Sequence, residues 1–257
     1  MISIKTSEEI KILKEGGKRL ASVLYEVAEK VRPGVSTIEL DELAEKLIKN
    51  IGGEPSFKNY KTREDKIPYP TSLCVSINNE IVHGIPSKNR ILQEGDIVSL
   101  DLGMKYKNLY TDMAITVPIG KVDDQAKKII ETAKKSLDVG IKSIKSGSHI
   151  GDISFSIQSC AENNGFNVVR RLVGHGVGYN VHEPPDIPNF GEKGTGLKLK
   201  EGMILALEPM VVLGGPDIVL DKDNWTWKTK DGFLAAHFEH TVAVTKKGAE
   251  ILTKLCD

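Results

Sequence analysis

Apolar residues recur every three or four positions in four long segments of the chain, the spacing that places them on one face of an α-helix. These segments run from about 6 to 31, 37 to 50, 123 to 145 and 150 to 163. The first opens on Thr6 and Glu9, which have the spacing of a capping box, and it stops before Pro33 and Gly34. The pattern therefore predicts four amphipathic helices, arranged as two consecutive pairs.

Alternating apolar and polar residues predict strands between the two helix pairs. The clearest signal is a hairpin with strands over 96–104 and 109–117, joined by a short polar turn. A turn centred between residues 106 and 107 places Asp101 directly opposite Asp112, with both carboxylates on the face that carries small residues. Shorter strands are predicted at 73–77 and 81–84, after a proline-containing loop over 52–71.

Two ionised carboxylates at opposed positions of paired strands repel each other. Their Cβ atoms would lie about 5 Å apart, and the repulsion is about 3 kcal/mol at an effective dielectric constant of about 20. A shared proton, full solvation of the face or bound cations could each offset this repulsion. The hairpin alone does not distinguish between these three possibilities.

The hairpin pattern occurs a second time in the chain. The sequence Leu-x-Glu-Gly-x-Ile-x-x-Leu followed by an acid is found twice, 107 residues apart, and aligns Asp101 with Glu208. Asp112 is aligned in the same way with Glu239, so each half of the chain supplies an acidic pair. The length allows one large α/β (α+β) domain over 1–257 or two modest domains, and the repeat divides the chain into similar halves of about 1–120 and 121–257.

Two similar halves packed about a pseudo-twofold axis would bring the four acids together. A dry cleft does not hold four unpaired negative charges, whereas two divalent cations would balance them, as in two-metal hydrolytic sites. A neutral imidazole is the typical remaining ligand, and His175 is the candidate because it lies between glycines, where the backbone can approach a metal closely. From the pattern alone, His83 and His182 are as consistent with hydrogen-bonded surface or core histidines as with site residues. His149, His237 and His240 receive no functional assignment.

The composition argues against several function classes. The chain has 35 basic and 35 acidic residues, so no excess of positive charge indicates nucleic-acid binding. No apolar stretch approaches the ~20 residues of a membrane span, and none has the form of a signal peptide. The cysteines Cys74, Cys160 and Cys256 are few and odd in number, which fits a reducing cytosol better than a disulfide framework. We expect a cytoplasmic protein.

These residues together resemble a known family, the type I methionine aminopeptidases, over nearly all 257 residues. The motifs that carry the resemblance are Val-His-Gly-Ile-Pro at 82–86, Asp-Ile-Val-Ser-Leu-Asp-Leu-Gly at 96–103, Thr-Asp at 111–112, Gly-His-Gly-Val-Gly at 174–178, His-Glu-Pro-Pro at 182–185, Glu-Pro-Met at 208–210 and Phe-Glu-His-Thr at 238–241. The resemblance implies the pita-bread fold, a pseudo-twofold antiparallel sheet covered by helices. It also implies removal of the initiator methionine from nascent proteins whose second residue is small.

The resemblance assigns a metal centre to this sequence. The five ligand positions fall on Asp101, Asp112, His175, Glu208 and Glu239. In the family two divalent ions (cobalt, manganese, iron(II) or zinc) are bridged by the residues matching Asp112 and Glu239. The residue matching Asp101 chelates one ion, and those matching His175 and Glu208 hold the other. A metal-bridging water or hydroxide is the nucleophile.

Further roles follow from the same resemblance. Glu208 is the expected general base and proton shuttle, while His83 and His182 would bind the peptide and stabilise charge on the tetrahedral intermediate. The positions of the methionine pocket fall on Tyr69, Cys74 and Trp225. The implied partners are nascent polypeptide N-termini, with the ribosome as a further candidate, for a monomer that binds neither nucleic acid nor membrane.

The sequence departs from the family pattern at three positions. Val181 stands where many members have a bulky aromatic residue, and Lys66 and Ile67 replace the aromatic residue and histidine expected near the pocket.

Two alternatives to this assignment remain. A hydrolase of Xaa-Pro bonds with the same fold usually carries a separate N-terminal domain, for which the first helix at about Ser7 leaves no room. A binding module that has lost its metal would be expected to lack ligands, and all five positions are filled.

Overall fold

The structure is a computed structural model that describes residues 2–63 and 65–255. Within these residues the helices are α1 (Ser7–Ala28), α2 (Thr37–Asn50), α3 (Asp124–Ser143) and α4 (Ile150–Asn163). The strands are β1 (Glu54–Pro55), β2 (Leu73–Ile77), β3 (Glu80–Val82), β4 (Ile97–Tyr106), β5 (Leu109–Pro118), β6 (Asn167–Val168), β7 (Val173–Gly176), β8 (Glu183–Pro188), β9 (Ile204–Leu207), β10 (Met210–Val212), β11 (Ile218–Leu220), β12 (Trp227–Thr229), β13 (Ala235–His237), β14 (Glu239–Thr245) and β15 (Gly248–Ile251). The prediction of a mixed α/β chain is confirmed.

The helix boundaries follow from local capping chemistry. The capping box predicted for α1 is present, with the Thr6 N–H donating to Glu9 Oε2 at 2.7 Å and the Glu9 N–H donating to Thr6 Oγ1 at 3.3 Å. The helices α2 and α4 have the predicted bounds, and each begins at a capping box, Ser36 with Glu39 and His149 with Asp152. The same local device therefore starts the second helix of both pairs.

One antiparallel sheet of nine strands takes strands from both halves of the chain. Its order is β1-β4-β5-β14-β9-β7-β8, with β2 added on β4 and β15 on β14. The hairpin of the first half, β4–β5, is joined to the corresponding strands of the second half through the pairing of β5 with β14. The two hairpins that carry the acids are thus neighbours in one sheet.

The apolar face of the sheet packs against the helices. On this face Leu100, Leu102 and Met113 belong to the main core together with Leu20 and Leu24 of α1, and all five are buried. The alternation predicted for the hairpin is confirmed, because these residues lie on the side opposite the acids. No helix in the described ranges is long and apolar enough to cross a membrane.

The register of the β4–β5 hairpin differs from the prediction. The turn consists of Lys107 and Asn108, with φ of +47° and +65°, the left-handed conformations of a two-residue type I′ turn. The paired positions are therefore Asp101 with Ala114 and Gly103 with Asp112. The prediction that Asp101 faces Asp112 directly is wrong. Because the register differs by two residues, both acids still lie on the same face.

Free thiols are found at Cys74 and Cys160, and Cys256 lies outside the described residues.

Candidate active site

Two adjacent rows of residues cross the main sheet and carry most of the candidate side chains. The first row runs through Cys74, Asp101, Ala114 and Glu239 on β2, β4, β5 and β14. The second row runs through Gly103, Asp112, Thr241, Ala206 and His175. Ala114 separates Asp101 from Glu239 in the first row, and Thr241 and Ala206 separate Asp112 from His175 in the second. These small residues leave room for the acids to converge on one face, as the sequence predicted.

Glu208 reaches the site from the end of a strand. It directly follows β9, and since Leu207 pairs with His240, the next position on each strand brings Glu208 beside Glu239. One carboxylate oxygen, Oε1, lies 3.4 Å from Nε2 of His175. The second acidic pair is therefore directly opposed, unlike the pair formed by the β4–β5 hairpin.

His175 is presented by a distorted part of β7. The register against β8 shifts between Gly174 and Gly176. A Cβ atom on Gly174 would lie 2.5 Å from the carbonyl oxygen of Ala206, and one on Gly176 would lie 2.3 Å from that of Pro184. The glycines flanking His175 are thus needed for the close approach of neighbouring strands.

The hydrogen bond of the His175 ring selects its tautomer. Nδ1 lies 2.8 Å from the carbonyl oxygen of Gly176. A carbonyl oxygen only accepts hydrogen bonds, so the proton is on Nδ1 and the lone pair of Nε2 faces the acids. This is the orientation that a metal-binding histidine needs.

The acids are buried without basic partners. Asp101 is 7% exposed, Asp112 4% and Glu239 2%. In the two described ranges, only histidines lie within ion-pair distance of these acids and Glu208. Oδ1 of Asp101 and Oε1 of Glu239 have no hydrogen-bond partner there. Such orphaned oxygens are costly unless something else pairs with them.

Burial shifts the pKa values of acids and histidines in opposite directions. It raises the pKa of Asp101 well above its usual value, an effect that the charges of Asp112 and Glu208 reinforce. It raises the pKa of Asp112 to about 7 and lowers the pKa of His175 and His83 to about 4. Each site group therefore favours its neutral form until a cation is near.

The donor set fits divalent cations. Asp112, His175 and Glu239 each offer one ligand atom, and these atoms lie within 4.8 Å of one another. Carboxylate oxygens with one imidazole nitrogen suit manganese, iron(II), cobalt and zinc alike. The orphaned oxygens of Asp101 and Glu239 are the further donors for which a cation would provide the missing partner.

All ten residues that the sequence assigned to the site line one cavity of about 50 Å³. The lining comprises Asp101, Asp112, Glu208, Glu239, His83, His175, His182, Tyr69, Cys74 and Trp225, together with Phe57 and Tyr60. The acids and histidines form one wall. Phe57, Tyr69, Cys74 and Trp225 cluster with Val181 to form an apolar region of the lining.

The apolar region is held by hydrogen bonds to the backbone. The Tyr69 hydroxyl donates to the carbonyl oxygen of Gly84 at 3.0 Å, and Trp225 Nε1–H donates to that of Ile67 at 3.2 Å. Ile67 is 45% exposed, and its side chain is not part of the cavity lining. Val181, by contrast, is buried in the apolar cluster, where a bulkier residue would change the available volume.

The two remaining histidines lie beside this apolar region. His83 has a φ of +60°, a left-handed conformation that costs a non-glycine residue about 1–2 kcal/mol. Its ring centroid lies 6.0 Å from that of Trp225, and the ring centroid of His182 lies 4.4 Å from that of His175. Strain of this kind persists where the surrounding structure requires it, as at functional sites.

Sequence reasoning missed three residues. Phe57 and Tyr60 lie in a loop that the pattern left without function, although aromatic residues in a polar loop are a weak signal. The Tyr60 hydroxyl lies 2.7 Å from Nδ1 of His182. His237 received no role, yet its Nε2 lies 3.8 Å from Oε2 of Glu208 and 4.0 Å from Oε2 of Glu239. No local pattern reveals that contact.

Comparison with known proteins places these features in a family. The profile of metallopeptidase family M24 matches residues 11–246. Methionine aminopeptidase 1 of Bacillus subtilis is 45% identical over 255 residues, covering 99% of this chain and all of that protein. The crystal structure of the Thermotoga maritima methionine aminopeptidase, also 45% identical, superposes with a TM-score of 0.95 and covers 99% of this chain and 100% of that one.

A more distant relative shows how far the fold extends. The prolidase of Pyrococcus horikoshii is 23% identical and superposes with a TM-score of 0.76, with 98% of this chain matched to 64% of that one. At this identity the likeness concerns the fold alone, and it is the pita-bread fold that the sequence motifs implied. The chain belongs to metallopeptidase family M24 and, within it, to the methionine aminopeptidases.

Proposed function

We propose that this chain removes the initiator methionine from nascent proteins whose second residue is small, using two divalent cations held by its acids and His175. One observation carries the proposal: a single cavity places buried acids without basic partners beside an apolar cluster of aromatic residues and a thiol. The names of the relatives support the substrate. The requirement for a small second residue rests on the family resemblance.

The charge of the site supports two cations. Asp112, His175 and Glu239 form one cluster of ligand atoms, and Asp101 and Glu208 add donors on either side of it. Four carboxylates balance two divalent ions, and a single ion would leave two buried negative charges. The mixed set of oxygen and nitrogen donors admits cobalt, manganese, iron(II) or zinc.

When bound, such cations lower the pKa of water and polarise the scissile carbonyl group. The protein's own residues supply the proton transfers. Glu208 is the residue placed to accept a proton from the attacking water and to pass it to the leaving amine. In the metal-free site, burial raises the pKa of its carboxyl group well above the usual value.

The histidines His83 and His182 are assigned to the substrate. If Tyr60 donates its hydroxyl proton to Nδ1 of His182, the ring proton of His182 is on Nε2 and is available to the oxygen of the scissile carbonyl. A donor held in this way stabilises negative charge as it develops. The imidazole of His83 lines the same cavity and is the other histidine assigned to the substrate.

The apolar part of the cavity would receive the methionine side chain. Tyr69 and Trp225 present their rings edge to face with centroids 5.2 Å apart, and Cys74 lies beside them. A thioether packs favourably against aromatic edges and sulfur. The cellular setting follows from the substrate: a monomeric single-domain protein of the cytoplasm that acts on chains leaving the ribosome.

Peptide hydrolysis tests the proposal. Metal-free protein is supplied in turn with manganese, iron(II), cobalt or zinc and assayed on Met-Ala-Ser, Met-Leu-Ser and a set of Xaa-Pro dipeptides. Release of methionine from Met-Ala-Ser, much faster than from Met-Leu-Ser, is expected. Turnover of Xaa-Pro dipeptides alone would instead assign the prolidase activity, and a protein that binds no divalent ion would be a binding module.

A further inference from the structure

His237 is a buried imidazole behind the two glutamates of the site. It ends β13, is 1% exposed and is not part of the cavity wall. Its backbone is fixed by Thr116, whose Oγ1 accepts from the His237 N–H at 2.9 Å and donates to its C=O at 2.8 Å. Neither ring nitrogen has a hydrogen-bond partner within the described residues.

The distances around this ring are informative. Nε2 lies 3.8 Å from Oε2 of Glu208 and 4.0 Å from Oε2 of Glu239, nearly equidistant from the two. Both distances are longer than a hydrogen bond, which ends near ~3.2 Å for N–H···O. A movement of under ~1 Å would close either one. A buried polar group left unpaired is costly, so the ring gains from that closure.

The chemistry of the partners fixes the direction of the bond. Ionised carboxylates only accept hydrogen bonds, and a neutral imidazole carries one N–H. The Oε1 atom of Glu208 already faces Nε2 of His175 on the cavity side. The Oε2 atoms of Glu208 and Glu239 are the ones that face His237. A donor there would hold each carboxylate with its other oxygen directed at the cavity.

We propose that His237 is a positioning residue for the metal centre: its Nε2–H donates to Oε2 of Glu208 and is shared with Glu239, which orients both carboxylates for the cations. The inference rests on the proposed function, in which these glutamates are ligands. Outer-sphere partners of this kind typically change metal affinity by about 10–100-fold when they are removed. His237 acts through the glutamates and touches neither cation nor substrate.

Two substitutions separate positioning from direct ligation. His237→Gln keeps an N–H donor at a similar reach but offers no imidazole nitrogen, whereas His237→Leu fills the space without a donor. We expect His237→Leu to weaken the binding of Mn²⁺ to metal-free protein by about 10–100-fold, measured by titration calorimetry. We expect His237→Gln to stay within about threefold of the wild type.

A spectroscopic signature and a matched control complete the test. The visible absorption of the Co²⁺-loaded protein reports on the nitrogen ligands, and under the proposal it is the same in wild type and His237→Gln. His240→Gln makes the same chemical change at a ring that is bonded to Thr253, and it should leave affinity and spectrum unaltered. Thermal unfolding of each variant shows that it is folded.

The outcomes are distinct. If His237→Leu binds Mn²⁺ as tightly as the wild type, the ring is only a spacer and the inference is wrong. A His237→Gln protein as weak as His237→Leu, with an altered Co²⁺ spectrum, would make His237 a direct ligand and also overturn positioning. A wild-type protein that binds no divalent ion overturns the proposed function, and the inference with it.

Discussion

Gly103, and not Asp101, stands opposite Asp112 across the β4–β5 hairpin. The two acids are therefore diagonal neighbours, whose separation is about 7–8 Å between backbones where direct partners lie about 5 Å apart. Their carboxyl groups still interact, because the charge of Asp112 raises the pKa of Asp101.

Replacement of Asp101 by asparagine tests the acidic pair. We expect a loss of peptidase activity of more than about 100-fold at saturating metal, since an amide oxygen replaces an anionic donor. The protein should stay folded, because Leu100 and Leu102 on the other face are untouched. Without metal its melting temperature at pH 8 should equal or exceed that of the wild type, because an amide has no charged form whose burial opposes folding.

The matched control for this substitution is Glu131→Gln, which removes one exposed negative charge from α3. It should change neither activity nor stability measurably. If Asp101→Asn keeps near-normal turnover, Asp101 is not a ligand.

Local patterns predicted the elements of this fold well. The bounds of α2 and α4 follow from capping residues and apolar spacing, which act within a few residues of each other. The four acids could be identified because the repeat aligns them in pairs. They lie on one face of the sheet because side chains alternate along a strand, so a register error of two residues does not change the face. The register of the hairpin was not found, because it depends on which two residues form the turn, and Lys107 and Asn108 adopt left-handed conformations without a glycine.

Contacts between segments that are distant along the chain could not be predicted from the sequence. Tyr60 contacts His182 across 122 positions of the chain, and His237 ends β13, which belongs to a different sheet from β9, the strand that Glu208 follows. Neither contact leaves a periodic signal, since the first joins a loop of the first half to the second half and the second joins two sheets. Such residues can be identified only from the positions of their polar atoms in the folded structure.

The raised pKa of Asp112 should make the metal-free protein less stable as pH rises towards about 7. The folded carboxyl group holds a proton that the unfolded chain has already released above about pH 4, the usual pKa of an aspartate. Its contribution to stability is therefore lost between about pH 4 and 7, by about 1.4 kcal/mol per pH unit, and does not change above that range. The lowered pKa of His175 and His83, about 4, acts oppositely, but only up to about pH 6.5.

Thermal unfolding of chelator-treated wild-type and Asp112→Asn protein between about pH 4 and 8 measures this effect, because the histidines contribute equally to both and the difference reports on the Asp112 carboxyl group. Excess Mn²⁺ should abolish or reverse the fall in the wild type, because cations bind the deprotonated acids. A difference between the two proteins that does not change with pH would contradict the raised pKa of Asp112.

Lys5 and Glu183 form a buried ion pair beside His182, and breaking it should be costly. The side chain of Lys5 is fully buried, that of Glu183 is 7% exposed, and the ammonium group also lies 4.5 Å from the centroid of the Tyr179 ring. Lys5→Met leaves the Glu183 carboxylate without its partner, and we expect a loss of about 3 kcal/mol or more in the free energy of unfolding.

The control for this pair is Lys11→Met, which breaks the exposed pair with Glu8 and should cost less than about 1 kcal/mol. The double variant Lys5→Met with Glu183→Gln should recover part of the stability, since no buried charge remains. If chemical denaturation gives the same loss of unfolding free energy for Lys5→Met and Lys11→Met, the buried pair contributes no more to stability than the exposed pair.

Tyr60→Phe should impair catalysis while leaving the fold and the metal centre intact. The substitution removes only the hydroxyl that lies 2.7 Å from Nδ1 of His182, so the imidazole loses the contact that selects its tautomer and orientation. We expect kcat on Met-Ala-Ser to fall by about 10-fold or more, with KM and the affinity for Mn²⁺ little changed. Tyr25→Phe, a matched change on the exposed face of α1, should have no effect. A Tyr60→Phe protein with unchanged kcat would show that His182 is oriented without this hydroxyl, and an equal loss of Mn²⁺ affinity would show that Tyr60 acts on the metal centre instead.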